Sequence, residues 1–394
     1  MKKWHKLLFL FLAFCSCKEP FTPPGNISTD SRYLVIEGFI SMNDSTFIRL
    51  SRTKKIDTLR TVFPEGGAQV SIESDANGVF PLAEIKAGTY ATPPLNLDPA
   101  HKYRVRITTA DNRKYVSDFV PVKNSPPIDS VGFTAQGNGV QVYVNTHDAS
   151  NATRYYRWDF TETWQFHSMY ISGYYSNGSK ILARATNQQV YSCYGNDSSA
   201  HIVIASTNKL VNDVVYQSPV TLIPPTSEKL ETKYTIWVRQ YALTSDAYTF
   251  WQNLQTNTEK LGSIFDALPS QSQSNYHCLS DPAELVIGYL SAGNVTTKRI
   301  FISASQLPST YSPQYPGSCV LDTAYDYAAL ADPTVRNPKL DNILVPLNSP
   351  YIPVKGLFIP PDNPFGGPDA YTFSTKFCVD CTLRGTTAQP PFWK

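Results

Sequence analysis

The chain has 394 residues, with 34 Lys plus Arg against 32 Asp plus Glu, so its formal net charge is +2. A nucleic-acid-binding protein normally carries an excess of basic residues, and this near balance argues against such a partner. Aromatic residues make up 13% of the chain and charged residues 17%, which excludes a disordered chain and a long helical bundle. The remaining class is a folded, mainly β protein rich in Tyr, Ser, Thr and Pro.

The first residues have the pattern of an export signal. Three Lys precede an apolar run over residues 7–14, which is shorter than the ~20 residues that a transmembrane helix needs. Cys17 follows the small residue Ser16, as in a bacterial lipoprotein cleavage site. We therefore expect residues 1–16 to be removed and Cys17 to be acylated. An ordinary secretory signal with incidental cysteines is the alternative.

The segment after the signal is predicted to be a lipidated tether over residues 17–30, because its Pro residues favour an extended chain. Lys18 rather than Asp follows the acylated position, which favours the outer membrane over the inner membrane. Removal of residues 1–16 takes away three Lys and no acid, so the formal charge falls from +2 to −1. We expect a protein anchored by lipid on the periplasmic or cell-surface face of the outer membrane.

Short strand patterns recur over residues 31–124. Tyr103, Val105 and Ile107 alternate with Arg residues, which is typical of a half-buried strand, and Asn77-Gly78 is a turn pair. About seven such strands at this spacing predict an N-terminal β-sandwich of immunoglobulin or fibronectin type.

A second sandwich is predicted over residues 125–307. Aromatic residues occupy alternate positions from Tyr156 to Phe160, and Trp164 and Phe166 keep the same phase. This places five aromatic side chains on one face of a long strand. We interpret that face as a packed core, since large aromatic side chains dominate cores. The alternative is a stacking platform for a sugar or a peptide.

One helical pattern interrupts the second sandwich, near residues 245–261. Apolar residues recur there at spacings of three and four. Thr244 or Ser245 can cap its start, and Gly262 can end it. We expect its apolar stripe to cover an end of the sandwich.

Residues 308–394 are rich in Pro and Tyr, with little periodicity, and predict an irregular C-terminal region. An exported protein meets an oxidising compartment, so disulfides are expected. We predict that Cys319 pairs with Cys378 or Cys381 and staples this region. The five cysteines available for bridges after the signal are Cys193, Cys278, Cys319, Cys378 and Cys381.

Known catalytic and cofactor motifs are absent from the sequence, which contains no His-Glu-x-x-His pair, no Gly-x-Ser-x-Gly and no phosphate-binding glycine loop. We therefore expect a protein that is not an enzyme and takes no cofactor. The cysteine pair at 378–381 has metal-ligand spacing, but a structural zinc needs four ligands, so no metal is predicted. The nearest approach to catalytic pairs is His147 with Asp148 and Asp159 with Glu162, which we interpret as a solvated strand face.

One loop has the composition of a binding loop. Tyr170, Tyr174 and Tyr175 are interspersed with Gly, Ser and Asn, a mixture that combines large contact area with adaptable hydrogen bonding. We consider these three Tyr as contacts for a glycan or peptide ligand. A surface hairpin has the same composition and is the alternative.

Several stretches together resemble a known family, namely Tyr33 to Gly38, Val238 to Leu254, Asn257 to Asp266, Asn275 to Cys278, and Cys378 to Trp393. They are similar to Bacteroidota outer-membrane lipoproteins classed as a domain of unknown function, number 4249. The resemblance covers nearly the whole mature chain. Genes for such proteins often lie beside those for TonB-dependent receptors, which implies a partner. The family resemblance implies no activity and no catalytic residues.

The leading hypothesis is an outer-membrane lipoprotein that serves as an accessory or ligand-binding partner of a TonB-dependent receptor in nutrient uptake. A structural or adhesive cell-surface module is one alternative, suggested by the tandem sandwiches. A hydrolase is the other alternative.

We predict that Cys17→Ala releases the protein from membranes, because the only anchor that the sequence indicates is the lipid on that residue. Membrane and soluble fractions are compared by immunoblot. Cys15→Ala is the matched control and should leave the protein in the membrane fraction. Retention of the Cys17 variant would refute the lipoprotein interpretation.

Overall fold

The computed structural model describes residues 32–53, 63–259, 273–315, 317–325, 338–358 and 368–393. The predicted signal, the tether with Cys17, and the predicted end of the helix beyond residue 259 lie outside these ranges. No helix among the described residues is long and apolar enough to cross a membrane.

The chain is built mainly from short strands. The first nine are β1 (Leu34–Ser41), β2 (Thr46–Arg52), β3 (Phe63–Pro64), β4 (Gln69–Ser74), β5 (Val79–Lys86), β6 (Thr89–Thr92), β7 (Lys102–Thr108), β8 (Lys114–Ser117) and β9 (Val120–Lys123). The next nine are β10 (Ile128–Gln136), β11 (Gly139–His147), β12 (Tyr155–His167), β13 (Tyr174–Ser176), β14 (Ile181–Ala183), β15 (Ser192–Ser198), β16 (Val203–Ser206), β17 (Val214–Ile223) and β18 (Lys233–Ala242). The last are β19 (Tyr276–Cys278), β20 (Val286–Ile287), β21 (Ala292–Gly293), β22 (Thr296–Ser303), β23 (Asp322–Tyr325), β24 (Tyr351–Leu357) and β25 (Ala370–Thr375). The α-helices within the described ranges are α1 (Ser245–Glu259), α2 (Pro338–Ile343) and α3 (Lys376–Val379).

The N-terminal unit is a sheet that closes on itself. Its strands follow the order β7-β4-β5-β6-β2-β1-β21-β9, and β9 also pairs with β7. The short strands β20 and β21 run parallel to β1, so residues 276–293 return to this unit after the chain has built most of the next one. The sequence pattern assigns these residues to the domain at 125–307, because short apolar runs do not show which distant strand they pair with.

The close approach of residues 276–293 to β1 requires a glycine. Gly288 has a φ of +143°, and a Cβ built on it would lie 2.1 Å from the carbonyl oxygen of Ile36. A residue with a side chain would be strained there and would clash with the backbone. The same strand β1 buries Leu34 and Ile36 inside the closed sheet.

The second unit is a sandwich of two sheets. One has the order β10-β11-β17, and the other has the order β15-β12-β18-β22, with β16 also paired to β12. The aromatic residues at alternate positions of β12 face the space between the sheets, and Tyr156, Trp158 and Phe160 are at most 2% exposed. The prediction of a packed aromatic core is therefore confirmed. The indole N–H of Trp158 donates to the Gln240 side chain at 2.9 Å, which satisfies it inside the core.

Helix α1 lies at the junction of the two units. The Thr244 hydroxyl accepts a hydrogen bond from the backbone N–H of Ala247 at 3.2 Å, as the predicted cap requires. Ala247 is fully buried with Tyr241 of the second unit, and Phe39 of the first unit packs against the same cluster. The Phe39 and Tyr241 rings are 5.0 Å apart, so this helix covers the seam between the units.

The C-terminal region is more regular than expected, because it contains the sheet β23-β25-β24. Cys319 is bonded to Cys378, which is one of the two pairings predicted, and Cys193 is bonded to Cys381. The second bridge ties the C-terminal segment to β15 of the second unit. Among the described residues, Cys278 is the free cysteine, and it is buried.

The two bridges and the free thiol predict a definite thiol count. Mature protein carrying Cys17→Ala, denatured without reductant, should react with one equivalent of a thiol reagent, since four of the five remaining cysteines are bridged. The Cys278→Ala variant should react with none. Peptide mapping should recover Cys193 with Cys381 and Cys319 with Cys378, and any other pairing would contradict the structure.

Candidate functional site

The Tyr-rich loop attaches the C-terminal region to the second unit. The Tyr170 hydroxyl donates to the carbonyl oxygen of Cys319 at 3.1 Å, and the Tyr174 ring lies edge-on to Tyr371 at 5.1 Å. Both rings are thus engaged in contacts within the protein. Tyr175 is half-buried, with the Arg184 guanidinium 5.5 Å from its ring centre. The structure does not gather the three Tyr around an open site.

The candidate catalytic pair at the end of β11 is separated by the fold. His147 contacts Asp129 across the strands at 2.7 Å, and this hydrogen bond raises the pKa of the exposed His147. Burial acts to raise the pKa of Asp148, but hydrogen bonds from Ser150 and Thr153 outweigh it and lower the pKa to about 2. Asp148 therefore holds the loop after β11 in place.

The candidate pair in β12 is also separated, because the two residues project to opposite faces of the strand. Glu162 faces the core and is 4% exposed. It accepts hydrogen bonds from the Tyr234 hydroxyl at 2.6 Å and from the Lys229 ammonium at 2.5 Å. Asp159 lies on the outer face, where it bonds to the Arg239 guanidinium. The two carboxylates therefore cannot act on one substrate.

The outer face of β12, β18 and β22 carries an unusual set of side chains. Because alternate residues of a strand project to opposite faces, the residues between the buried aromatics of β12 point outward. Strand pairing places Arg157 opposite Tyr241, Asp159 opposite Arg239, and Trp237 opposite Arg299. We call this surface the trough: its floor is Arg157, Asp159, Trp237, Arg239 and Arg299, and its ends are Trp251 of α1 and Phe392 of the C-terminal segment.

One end of the trough is formed by a stacked guanidinium. The Arg157 guanidinium carbon lies 4.4 Å from the ring centres of both Tyr241 and Trp251. It also lies near Asp159, with 3.7 Å between the closest nitrogen and oxygen. The Arg157 Nε is buried and has no hydrogen-bond partner among the described residues.

The middle of the trough is an ion pair beside an indole. Burial acts to lower the pKa of Arg239, but the charge of Asp159 and its hydrogen bond outweigh burial and raise that pKa. Burial, reinforced by the Asp159 charge, raises the pKa of Tyr241 to about 12. The Arg239 guanidinium carbon is 5.4 Å from the Trp237 ring centre.

The far end of the trough holds a cation with no acidic partner. The Arg299 guanidinium carbon is 3.8 Å from the Phe392 ring centre and 5.5 Å from the Trp237 ring centre. No carboxylate of the described residues lies within ion-pair distance of it. Burial lowers the pKa of Arg299, as expected for a charge that loses water without gaining an opposite charge.

The C-terminal segment that supplies Phe392 is fixed on the sheet. Tyr194 and Thr386 form a backbone bridge next to the disulfide between Cys193 and Cys381. The Trp393 ring is 8% exposed and lies edge-on to Tyr194 at 5.0 Å. This end of the trough is therefore held by a covalent bond, backbone pairing and aromatic packing.

Two cavities elsewhere in the structure are less suited to a site. A cavity of about 340 Å³ lies between β16, β17 and α1. There the Glu259 carboxylate and the Gln255 amide bind the backbone of Ile202, each at 2.6 Å, so these side chains cap a strand edge. A cavity of about 320 Å³ beside Tyr351 and Phe373 is lined largely by the C-terminal sheet. No group of three or more His, Cys, Asp or Glu in the described part of the chain is placed to hold a metal ion.

The sequence pattern contains one indication of the trough. The outward positions of β12 and β18 alternate with the predicted core residues, and they include Arg157, Asp159, Trp237 and Arg239. Arg299 and the C-terminal segment could not be assigned to the same surface, because they join it only through tertiary pairing. The chemistry that the trough supports is binding, with stacked guanidinium donors and aromatic surface.

A model of the family described as Domain of unknown function (DUF4249) matches residues 18–299. The chain belongs to this family. No curated protein matches this DUF4249 chain.

Three solved structures to which the DUF4249 chain is similar are 7% to 11% identical to it. A two-domain fibronectin type III segment of chicken tenascin is 11% identical, covers 53% of this chain and 90% of its own, and has a TM-score of 0.16. Chitinase ChiA74 from Bacillus thuringiensis is 11% identical. The match covers 47% of this chain and 30% of the chitinase chain, with a TM-score of 0.15. The BSP domain of a biofilm-associated protein is 7% identical. The match covers 72% of this chain and 62% of the BSP-domain chain, with a TM-score of 0.12. TM-scores this low carry no argument about fold or function; the mainly β fold is shown by the strands themselves.

We predict that the two adjacent aromatics of the C-terminal segment differ in their effect on stability. Trp393→Ala should lower the free energy of unfolding by about 3 kcal/mol, because that ring is buried on the sheet. Phe392→Ala is the matched control and should cost about 1 kcal/mol or less, since that ring is 38% exposed. Urea denaturation measures both. Equal decreases in the free energy of unfolding of the two variants would contradict the burial of Trp393 and the exposure of Phe392.

Proposed function

We propose that this DUF4249 protein is a lipid-anchored outer-membrane lipoprotein that binds a ligand in the trough and works with a TonB-dependent receptor in nutrient uptake. The lipoprotein pattern at Cys17 and the Pro-rich segment to residue 30 support the anchor. The resemblance to lipoproteins encoded beside TonB-dependent receptors supports the partner.

The observation that carries the proposal is the arrangement of arginines and aromatics on the trough floor. A sheet face that serves only stability has no need of half-buried guanidinium groups, because each loses hydration on burial. Here Arg157 and Arg239 share the carboxylate of Asp159, and Arg299 has no acidic partner among the described residues. Such groups are suited to recognition, since they present fixed donors beside apolar surface.

The hydrolase alternative gains little support from the trough. Hydrolysis of a glycoside usually requires two carboxyl groups on either side of the bond. Asp159 is the one carboxylate that the described residues place on the floor, and it is bonded to Arg239. Binding without turnover is therefore the proposed role.

The binding part of the proposal is tested with a trough variant and a matched surface variant. Trp237→Ala combined with Arg239→Gln should abolish binding to whichever member of a glycan and peptide array the mature Cys17→Ala protein captures. Tyr216→Ser is the control, because Tyr216 is 76% exposed on the other sheet of the sandwich. Binding that survives in the double variant would exclude the trough as the site.

The partner is tested by purifying the tagged, lipidated protein from outer membranes in mild detergent. A TonB-dependent receptor should be recovered with it, and repeated failure to recover one would remove the uptake role. A deletion strain with unchanged nutrient uptake but impaired surface attachment would instead favour the structural or adhesive alternative.

A further inference from the structure

The outer face of the five-stranded sheet is basic, whereas the chain without residues 1–16 has a formal net charge of −1. Its outward residues include Arg157, Arg239, Arg299 and Lys233, and of the described residues on these strands only Asp159 is an outward-facing acid. This face therefore carries four cationic side chains and one carboxylate. Charge separation of this kind raises the local concentration of anions and steers them to the surface.

The cations of the trough are held in fixed positions. Arg157, Arg239 and Arg299 stand in three successive cross-strand rows, so they span about 13 Å at roughly 6.6 Å per row. Arg157 and Arg299 are each stacked against two aromatic rings. A stacked guanidinium keeps its planar edge of N–H donors free, and that edge matches a carboxylate in a two-point contact.

Two of these groups have unused hydrogen-bonding or charge capacity. Arg299 has no acidic partner among the described residues, and the Nε of Arg157 has no hydrogen-bond partner there. A buried donor or an unpaired cation is costly unless a ligand satisfies it. Arg299 therefore has charge capacity for an anionic group. The Nε of Arg157 is closed to solvent, so a ligand would contact that residue through the 18% of its side chain that is exposed.

We propose that the trough binds the carboxylate groups of an acidic polysaccharide built from uronic acid units. This inference rests on the proposed function, because it names the ligand class for the same site. Arg299 and Arg157 contact carboxylates at the two ends. Trp237, Trp251 and Phe392 supply ring surface for the C–H faces of the sugars, which meet the negative face of an aromatic ring favourably.

A polysaccharide fits this surface better than a peptide or a membrane. A peptide in an extended conformation is usually bound by adding a strand to a free sheet edge. Of the three floor strands, β12 and β18 are paired on both sides, and a strand added at the outer edge of β22 would lie beside the trough rather than across its floor. A bilayer is flat, whereas Trp251 of α1 and Phe392 of the C-terminal segment lie over the arginines at the two ends of the trough.

The test is isothermal titration of the mature Cys17→Ala protein with oligomers of galacturonate, mannuronate and glucuronate. Each oligomer is also offered as its methyl ester, which keeps the sugar rings and removes the charge. At least one acid form should bind, its ester should bind at least tenfold more weakly, and added salt should weaken the acid form.

Variants locate the binding on the trough. Arg299→Gln should weaken binding of the acid form about tenfold to a hundredfold, as expected for loss of a charged two-point contact. Arg299→Lys should bind the acid form more tightly than Arg299→Gln does. Arg157→Gln provides an independent second variant. Arg49→Gln, at an exposed arginine of β2, is the matched control and should bind as the parent does. Circular dichroism confirms that each variant is folded.

The outcomes separate this inference from the proposed function. Equal binding of acid and ester, or capture of neutral glycans alone through Trp237, would overturn the acidic ligand and leave the trough as a binding site. Acid binding that is unchanged in both arginine variants would also overturn it. If no uronate oligomer binds and no array member is captured, both the ligand class and the binding function fail.

Discussion

The alternation of side chains along β12 is the constraint on which the rest of the second unit depends. This strand of 13 residues buries aromatic side chains on one face and presents Arg157 and Asp159 on the other. A shift of pairing by one residue would move the aromatics into water and the charges into the core. Because the core fixes the register of β12 against β18, it also fixes which side chains form the floor of the trough.

The ends of the trough depend on parts of the chain that are distant in sequence. Trp251 is placed by helix α1, whose Ala247 packs in the same cluster as Phe39 and Tyr241 at the junction of the units. Phe392 is placed by the C-terminal segment, which the bridge from Cys193 to Cys381 ties to β15. The N-terminal sheet and the disulfide therefore both contribute to a surface that neither of them lines.

Two buried polar side chains in the core of the sandwich, Gln240 and Glu162, are satisfied internally, in contrast to groups of the trough. Gln240 accepts from the Trp158 indole, and Glu162 is bonded to Tyr234 and Lys229. Each of these groups has a partner, as the cost of an unsatisfied buried polar group requires. On the outer face, by contrast, Arg299 has no acidic partner among the described residues and the Nε of Arg157 has no hydrogen-bond partner, although buried atoms such as the Nε of Arg384 share the latter property.

The sequence by itself determined the elements whose cause is local. The alternation in β12, the cap at Thr244 and the mainly β class follow from residue patterns within a few positions, and the lipoprotein pattern at Cys17 is also local. Only the tertiary structure decided that residues 276–293 complete the first sheet, which cysteines pair, and that Arg299 and Phe392 meet Trp237. Strand pairing and disulfide formation join residues far apart in the chain, and short apolar runs or single cysteines do not encode their partners. The outward side of β12 and β18 was therefore predictable, while its assembly into a site was not.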